Sequence, residues 1–415
     1  AFAGFYLVKY SIDMGLLTPA VRIALGFVFG VGLIGAGAFI RAKKPAMADG
    51  ARIAQALTGA GIADLYATTF TATTVLHLIP PSPGFIGMAA ITALAVILSI
   101  RHGMPIAILG LVGGFLTPAL IQTGHPNAAG LFIYLLMLAA GFFTVITMLA
   151  WWVLALPVLL LAFLWVPLWL ATDFRPEDGV WLSLFLLGVG AIAMLASARS
   201  ERAVPLAAPV GQSRPGNWGR LLGYAAMAGC VLLMSVVVGA ADFSLEDWGL
   251  YGILGVGCVA LGLFRPAQYM LAPWLSMIAT LCMLAVWTNA TDETYAWFLL
   301  GFAVLYNAGA LLILRGAPSS RAAGLLGASA LSFYGLAYLR LDERIYSLLG
   351  LHHGDTLHLW GILALALAGG FTALTARFLR RLPGEDDLRQ RILALTALTA
   401  TAFLSLSLTI EVRQE

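Results

Sequence analysis

LFIYLLMLAAGFFTVITMLAWWVLALPVLLLAFLWVPLWL, from Leu131 to Leu170, runs for forty residues without a single charged side chain. A helix that crosses a bilayer needs about 20 consecutive apolar residues, so this stretch reads as two crossings, split near Leu149–Trp152. The apolar character is continuous. It does not alternate over ~10 residues as a transmembrane barrel strand would. The rest of the chain repeats the pattern. Of its 415 residues, 61% are hydrophobic and only 10% are charged, against roughly 25% charged in a soluble domain. A water-soluble fold of this length could not cover its surface with so few charges, whereas a bilayer removes the need. The fold class is therefore all-α, a polytopic transmembrane helix bundle with about 15 spans.

Outward from that stretch, apolar segments are predicted over 1–12, 20–40, 53–79, 84–100, 104–122, 128–148, 150–171, 179–196, 219–241, 247–264, 267–288, 294–314, 321–339, 357–377 and 390–410. The chain opens AFAGFYLVKY, with neither a Met nor the basic region and cleavage site of a signal peptide. It reads as the later part of a first span, in a piece of a longer protein. A Pro-, Ser- and Arg-rich stretch over 197–218 reads as a flexible cytoplasmic linker. It would separate a membrane bundle of about eight spans (1–196) from one of about seven (219–415). IPPSPG, containing Pro80, Pro81 and Pro83, reads as a tight turn on the outside. The outside loop from Arg340 to Leu357 is long enough for a short interfacial helix.

The placement of charge orients the chain. Arg41, Lys43, Lys44, Arg52, Arg101, Arg199, Arg202, Arg214, Arg220, Arg265, Arg315, Arg321, Arg377, Arg380, Arg381, Arg389 and Arg391 all fall on one side, seventeen of the 23 Lys and Arg. The other side collects Asp13, Asp173, Glu177, Asp178, Asp242, Glu246, Asp247, Asp292, Glu293, Asp342, Glu343 and Asp355. Basic short loops face the cytoplasm, so the expected location is a bacterial cytoplasmic (inner) membrane, basic side in and the C-terminus emerging outside. Basic residues scattered along one membrane face give nucleic-acid binding no support. The partners implied are the lipid bilayer and neighbouring membrane proteins.

Three stretches carry a resemblance to a known family: KYSIDMGLLTPAVRIALG (Lys9 to Gly26), GAGIADLY (Gly59 to Tyr66) and GGFLTPALIQTG (Gly113 to Gly124). Over about Ala1 to Gly130 the chain resembles an uncharacterised family of large bacterial multi-pass membrane proteins, a domain of unknown function. Its pattern has a Lys-Tyr pair, then a Gly-x-Leu/Ile-Ser/Thr-Pro turn with an Arg opening the next helix. A Leu-Tyr pair in the third span and a Gly-Gly-Phe-Leu-Thr-Pro stretch follow. Asp64 stands where that pattern implies an apolar residue. The resemblance implies further spans and a soluble N-terminal part in full-length members. It implies no activity, so it transfers no catalytic residue.

Polar groups inside the spans are the candidate functional residues. Asp64 lies near the middle of 53–79, where a carboxylate costs at least ~2.5–3.5 kcal/mol on insertion scales. Gly61, Asp64, Thr68 and Thr71 recur at three- and four-residue spacing and so share a helix face. Such a face is either a binding or proton-relay site, or a hydrogen-bonded contact that joins helices. Lys9, beside Tyr10, could pair with Asp64 if the first and third spans touch, or could snorkel to the interface. Arg22 is expected to anchor the second span near the outer headgroups. Gly30, Gly32, Gly35 and Gly37, and Gly110, Gly113 and Gly114, are expected to form small-residue faces for close helix packing. The alternative at Gly113, Gly114 and Pro118 is a broken helix whose freed carbonyls line a cavity.

The external LHHGDTLHLW places His352, His353, Asp355 and His358 within seven residues. These are zinc-ligand types, but the spacing matches no standard metal motif, and no metal is favoured. Trp151, Trp152, Trp165 and Trp169 are expected in an aromatic belt. Cys230, Cys258 and Cys282 read as small hydrophobes. No phosphate loop, dinucleotide fingerprint or nucleophile elbow is present in the right context, so no cofactor is implied and an enzyme is not favoured. The leading expectation is a transporter or flippase for a small molecule, lipid or envelope-glycan precursor. The alternatives are a structural or assembly subunit and, third, a membrane-embedded transferase using the histidine loop.

Overall fold

A computed structural model of the chain describes residues 18–43, 50–121, 126–202, 215–341, 359–381 and 387–414. Lys9, Tyr10, His352, His353, Asp355 and His358 lie outside the described residues, as do the first expected span and most of the expected linker. The described residues are helical and hold no strand. In chain order the helices are α1 Pro19–Lys43, α2 Gly50–Phe70, α3 Pro81–His102, α4 Met104–Leu120, α5 Ala128–Leu149, α6 Ala155–Thr172, α7 Gly179–Arg202 and α8 Pro215–Ala240. They continue with α9 Leu245–Phe264, α10 Pro266–Tyr269, α11 Leu271–Val286, α12 Asp292–Gly316, α13 Ser320–Leu341, α14 Leu359–Arg381 and α15 Asp387–Gln414.

Eleven of these helical segments are long and apolar enough to cross a membrane, and α4 and α11 are apolar but shorter. The span count is thus eleven to thirteen among the described residues, against the fifteen or so expected. Two segments account for the difference. One is 1–12. The other is α2, which has the length but carries Arg52, Gln55, Thr58 and Asp64. The surface agrees with a bilayer: Val28 is 70% exposed, Phe264 80% and Leu339 81%. Large apolar side chains at that exposure are at home against lipid.

Local chemistry sets the helix ends. The long apolar stretch divides where Ala150 takes a left-handed conformation (φ 56°), ending α5, and a short 3₁₀ turn Trp152–Leu154 leads into α6. The proline-rich IPPSPG does not stay a bare turn. Pro81 opens α3, in the first helical turn where a missing N–H is tolerated. Between α3 and α4 the chain reverses at Gly103, whose φ of +94° no side-chain-bearing residue adopts easily. Asn127, Ser244 and Thr291 cap α5, α9 and α12 by accepting from the N–H three residues on.

The chain forms two compact units. One comprises 1–174 with 188–226, and the other 175–187 with 227–415. In the first, α1 and α2 pair, and α3 and α4 fold back on α2 around Ile62, Leu65, Ile91, Ala95 and Ile106. The tryptophans expected in an aromatic belt also pack within this unit. Trp152 and Trp169 are buried, Trp169 packs edge-on against Phe132, and Trp165 donates its Nε1–H to the Phe115 carbonyl. They fill space between helices, and the Trp165 N–H finds a protein acceptor there.

In the second unit Trp248, Trp287, Phe298, Phe302, Tyr306 and Phe333 make a continuous run of ring contacts. Cys230 and Cys258 are buried as expected, and Cys282 is exposed.

Candidate functional site

The expected polar face on α2 exists, and it is turned toward α1. The two helices run antiparallel with glycines at the contact. A Cβ placed on Gly30 would lie 2.8 Å from Asp64 Oδ2, one on Gly26 would lie 2.6 Å from Thr68 Oγ1, and one on Gly61 would meet the Gly30 carbonyl at 2.6 Å. Further along, Gly37 faces Thr58. Gly26, Gly30 and Gly37 therefore make the small-residue seam of α1. Gly32 and Gly35, expected on the same face, meet no described atom within 4 Å. The helical period explains this, because positions 26, 30 and 37 share a face while 32 and 35 point away from it.

Asp64 is half-buried, and its Oδ2 is buried with no hydrogen-bond partner among the described residues. Thr58, which the sequence did not single out, shows the same condition: its hydroxyl is buried against the seam and has no partner among the described residues. The neighbouring hydroxyls are occupied elsewhere. Thr69 bonds the Leu65 carbonyl and Thr73 the Thr69 carbonyl, each at 2.8 Å. Thr68 is buried against Gly26. Thr71 begins a π-helical turn, Thr71–Val75, that continues α2. Such wide turns recur at functional positions in helices. Gly61, Asp64 and Thr68 thus meet α1, and Thr71 lies one turn beyond in the widened segment.

The stretch Gly113–Pro118 is a junction, and α4 runs through it without a break. Pro118 has no N–H to offer the carbonyl four residues back. That carbonyl, on Gly114, accepts the Tyr134 hydroxyl from α5 at 2.8 Å instead. Thr117 closes on the Gly113 carbonyl at 2.8 Å, and Trp165 from α6 reaches the Phe115 carbonyl at 3.1 Å. The carbonyls that a broken helix would turn toward a cavity are thus met by side chains.

Gly113 has no Cβ because the Tyr66 ring lies there, and the Tyr66 hydroxyl meets Thr92 Oγ1 at 2.7 Å. Two of the stretches that carry the family resemblance, GAGIADLY and GGFLTP, are therefore in contact, ring on glycine.

Asp247, grouped by the sequence with the acids of the outer side at the start of the 247–264 segment, lies in the first turn of α9 and is only 1% exposed. It accepts the Ser244 hydroxyl at 2.7 Å and the Ser183 hydroxyl at 3.2 Å. The spacing of Ser244 and Asp247, a Ser followed three residues later by an acid, was the available signal. No group of three or more His, Cys, Asp or Glu placed to hold a metal occurs among the described residues.

Residues 1–265 match the family described as Predicted membrane protein (DUF2339). No curated protein and no solved structure matches the chain.

Proposed function

The chain belongs to the DUF2339 family of predicted membrane proteins, and from that premise we propose that it is a transporter or flippase for a small molecule, a lipid or an envelope-glycan precursor. The observation that supports this reading is the unpartnered Oδ2 of Asp64, buried between α1 and α2. A carboxylate kept only to join helices would be expected to spend its oxygens on donors, because an unmet polar atom in a water-poor interior costs several kcal/mol. Asp64 retains an open acceptor, available to a proton or to a donor group on a passing solute. The adjoining π turn at Thr71–Val75 is a place where the helix can change register. In this reading the basic loops face the cytoplasm of a bacterial inner membrane.

The test is proton flux into proteoliposomes carrying an entrapped pH dye, under an imposed gradient, for wild type and Asp64→Asn. The reading expects the variant to fall to the level of empty vesicles. Unchanged flux rejects a proton-coupled role for Asp64.

The second reading, a structural or assembly subunit, is favoured by Gly32 and Gly35. They leave a face of α1 open to close approach by another helix. Co-purification of a stoichiometric membrane partner, lost on Gly32→Leu, would favour it.

A further inference from the structure

In the second unit, α9 and α12 run parallel, since rising numbers on one meet rising numbers on the other. Trp248 meets Phe298 and Phe302, Gly255 meets Leu305, Gly309 meets Val259, and Gly262 meets Ile313. Their C-terminal halves are tightly closed: a Cβ on Gly309 would lie 2.5 Å from Val259. Toward their N-termini the helices part and leave an apolar cleft of about 570 Å³. Trp248, Ile253 and Val256 wall it from α9, and Trp297, Phe298 and Leu305 from α12. Gly249, Gly252 and Gly301 keep it open, because a Cβ at any of them would meet nothing within 4 Å.

The dimensions choose the occupant. Trp248 to Val256 and Trp297 to Leu305 each cover eight residue steps, about 12 Å of helix at ~1.5 Å per residue. That is most of one leaflet of a hydrocarbon core ~30 Å thick. The cleft's volume over that length gives a cross-section of about 50 Å². Extended acyl chains fit along a groove of this length and width.

The mouth then selects the headgroup. Glu246 lies three residues before Gly249, and Glu293 lies four before Trp297, so each stands one turn above the cleft on the face that lines it. Both are exposed. Arg340, a cation on the same side, is already engaged by the Tyr295 ring, 4.6 Å from its centroid, and by the Thr288 carbonyl.

We propose that this cleft holds one membrane phospholipid whose headgroup carries a primary ammonium, with its acyl chains between α9 and α12 and the ammonium between Glu246 and Glu293. The Trp248 indole lines the cleft. The assignment is independent of Asp64, which lies in the other unit.

The experiment is native mass spectrometry of the purified full chain, delipidated and then offered phosphatidylethanolamine or phosphatidylglycerol with matched acyl chains. Wild type should retain one phosphatidylethanolamine and no phosphatidylglycerol at equal concentration. Gly301→Leu, and separately Gly252→Leu, should fill the cleft and lose the retained lipid with an unchanged melting temperature. Glu246→Gln with Glu293→Gln should keep a lipid and lose the preference. Equal retention of the two lipids by wild type would overturn the headgroup assignment. Undiminished retention by both leucine variants would overturn the cleft.

Discussion

Pro118 and Tyr134 form a pair whose coupling can be measured. The structure leaves the Gly114 carbonyl without its helical donor, because residue 118 is proline, and supplies the Tyr134 hydroxyl at 2.8 Å. Tyr134→Phe keeps the ring and its edge-to-face contact with Phe85 at 5.0 Å, and removes only the donor. The nearby hydroxyls cannot take over, since Thr92 is committed to the Met88 carbonyl and Thr117 to that of Gly113. Stranding a buried acceptor costs about 1–3 kcal/mol in soluble proteins, while interhelical hydrogen bonds in membranes average ~0.6 kcal/mol with a maximum near 1.7. The expected loss is therefore about 1 kcal/mol. In a Pro118→Ala background an N–H returns at position 118, the Gly114 carbonyl regains its helical partner, and the same Tyr134→Phe change should cost no more than a few tenths of a kcal/mol. The assay is reversible unfolding in mixed detergent–SDS micelles for the four members of the cycle. Losses equal in the two backgrounds, within the ~0.3–0.5 kcal/mol that independent sites allow, would refute the claim that Tyr134 replaces the donor proline removes.

The α1–α2 seam makes a second pair. Gly61→Ala drives a Cβ to 2.6 Å from the Gly30 carbonyl and should cost about 1–3 kcal/mol in the same unfolding assay. Gly32→Ala meets open space and should leave stability unchanged or raise it by up to ~1 kcal/mol through helix propensity. Ser244→Ala removes both the cap on α9 and a donor to Asp247. It should lower stability by about 1 kcal/mol, with no further loss when Asp247→Asn is added, since the remaining Ser183 contact is compatible with an amide.

The helices were legible because lipid imposes a continuous apolar run that nothing else in a chain imitates. Even the uncharged stretch from Leu131 to Leu170 divides at Ala150–Trp151, where it was expected to. Side-chain direction was less legible. Gly30 and Gly37 were read correctly as packing positions, but Gly32 and Gly35 were grouped with them. Counting small residues along a helix ignores the 100° turn between neighbours. The tryptophans of α6 were read only by a rule about interfaces, which said nothing of the Phe115 carbonyl that Trp165 meets or the Phe132 ring that Trp169 meets. Pro118 marked something real, a carbonyl without its donor. That Tyr134 would supply one could not be read from α4, because it comes from another helix.

Set beside Asp247, Asp64 poses a sharper question. Asp247 is almost wholly buried, and the fold surrounds it with what a buried acid needs: two hydroxyl donors and a position in the first turn of α9, where the helix dipole favours negative charge. Asp64 has a helix interior, a glycine in place of a donor, and an oxygen that no donor among the described residues meets. A chain that can satisfy one buried carboxylate so fully has no structural need to leave another open. Gly30 is what lets α1 approach Asp64, since a Cβ there would lie 2.8 Å from Oδ2 and 2.9 Å from the Leu65 side chain. Asp64→Asn therefore separates the two roles. If Asp64 only joins the helices, the variant should keep wild-type proton flux, whereas if its open oxygen takes a proton, flux should fall to that of empty vesicles while the fold keeps its stability.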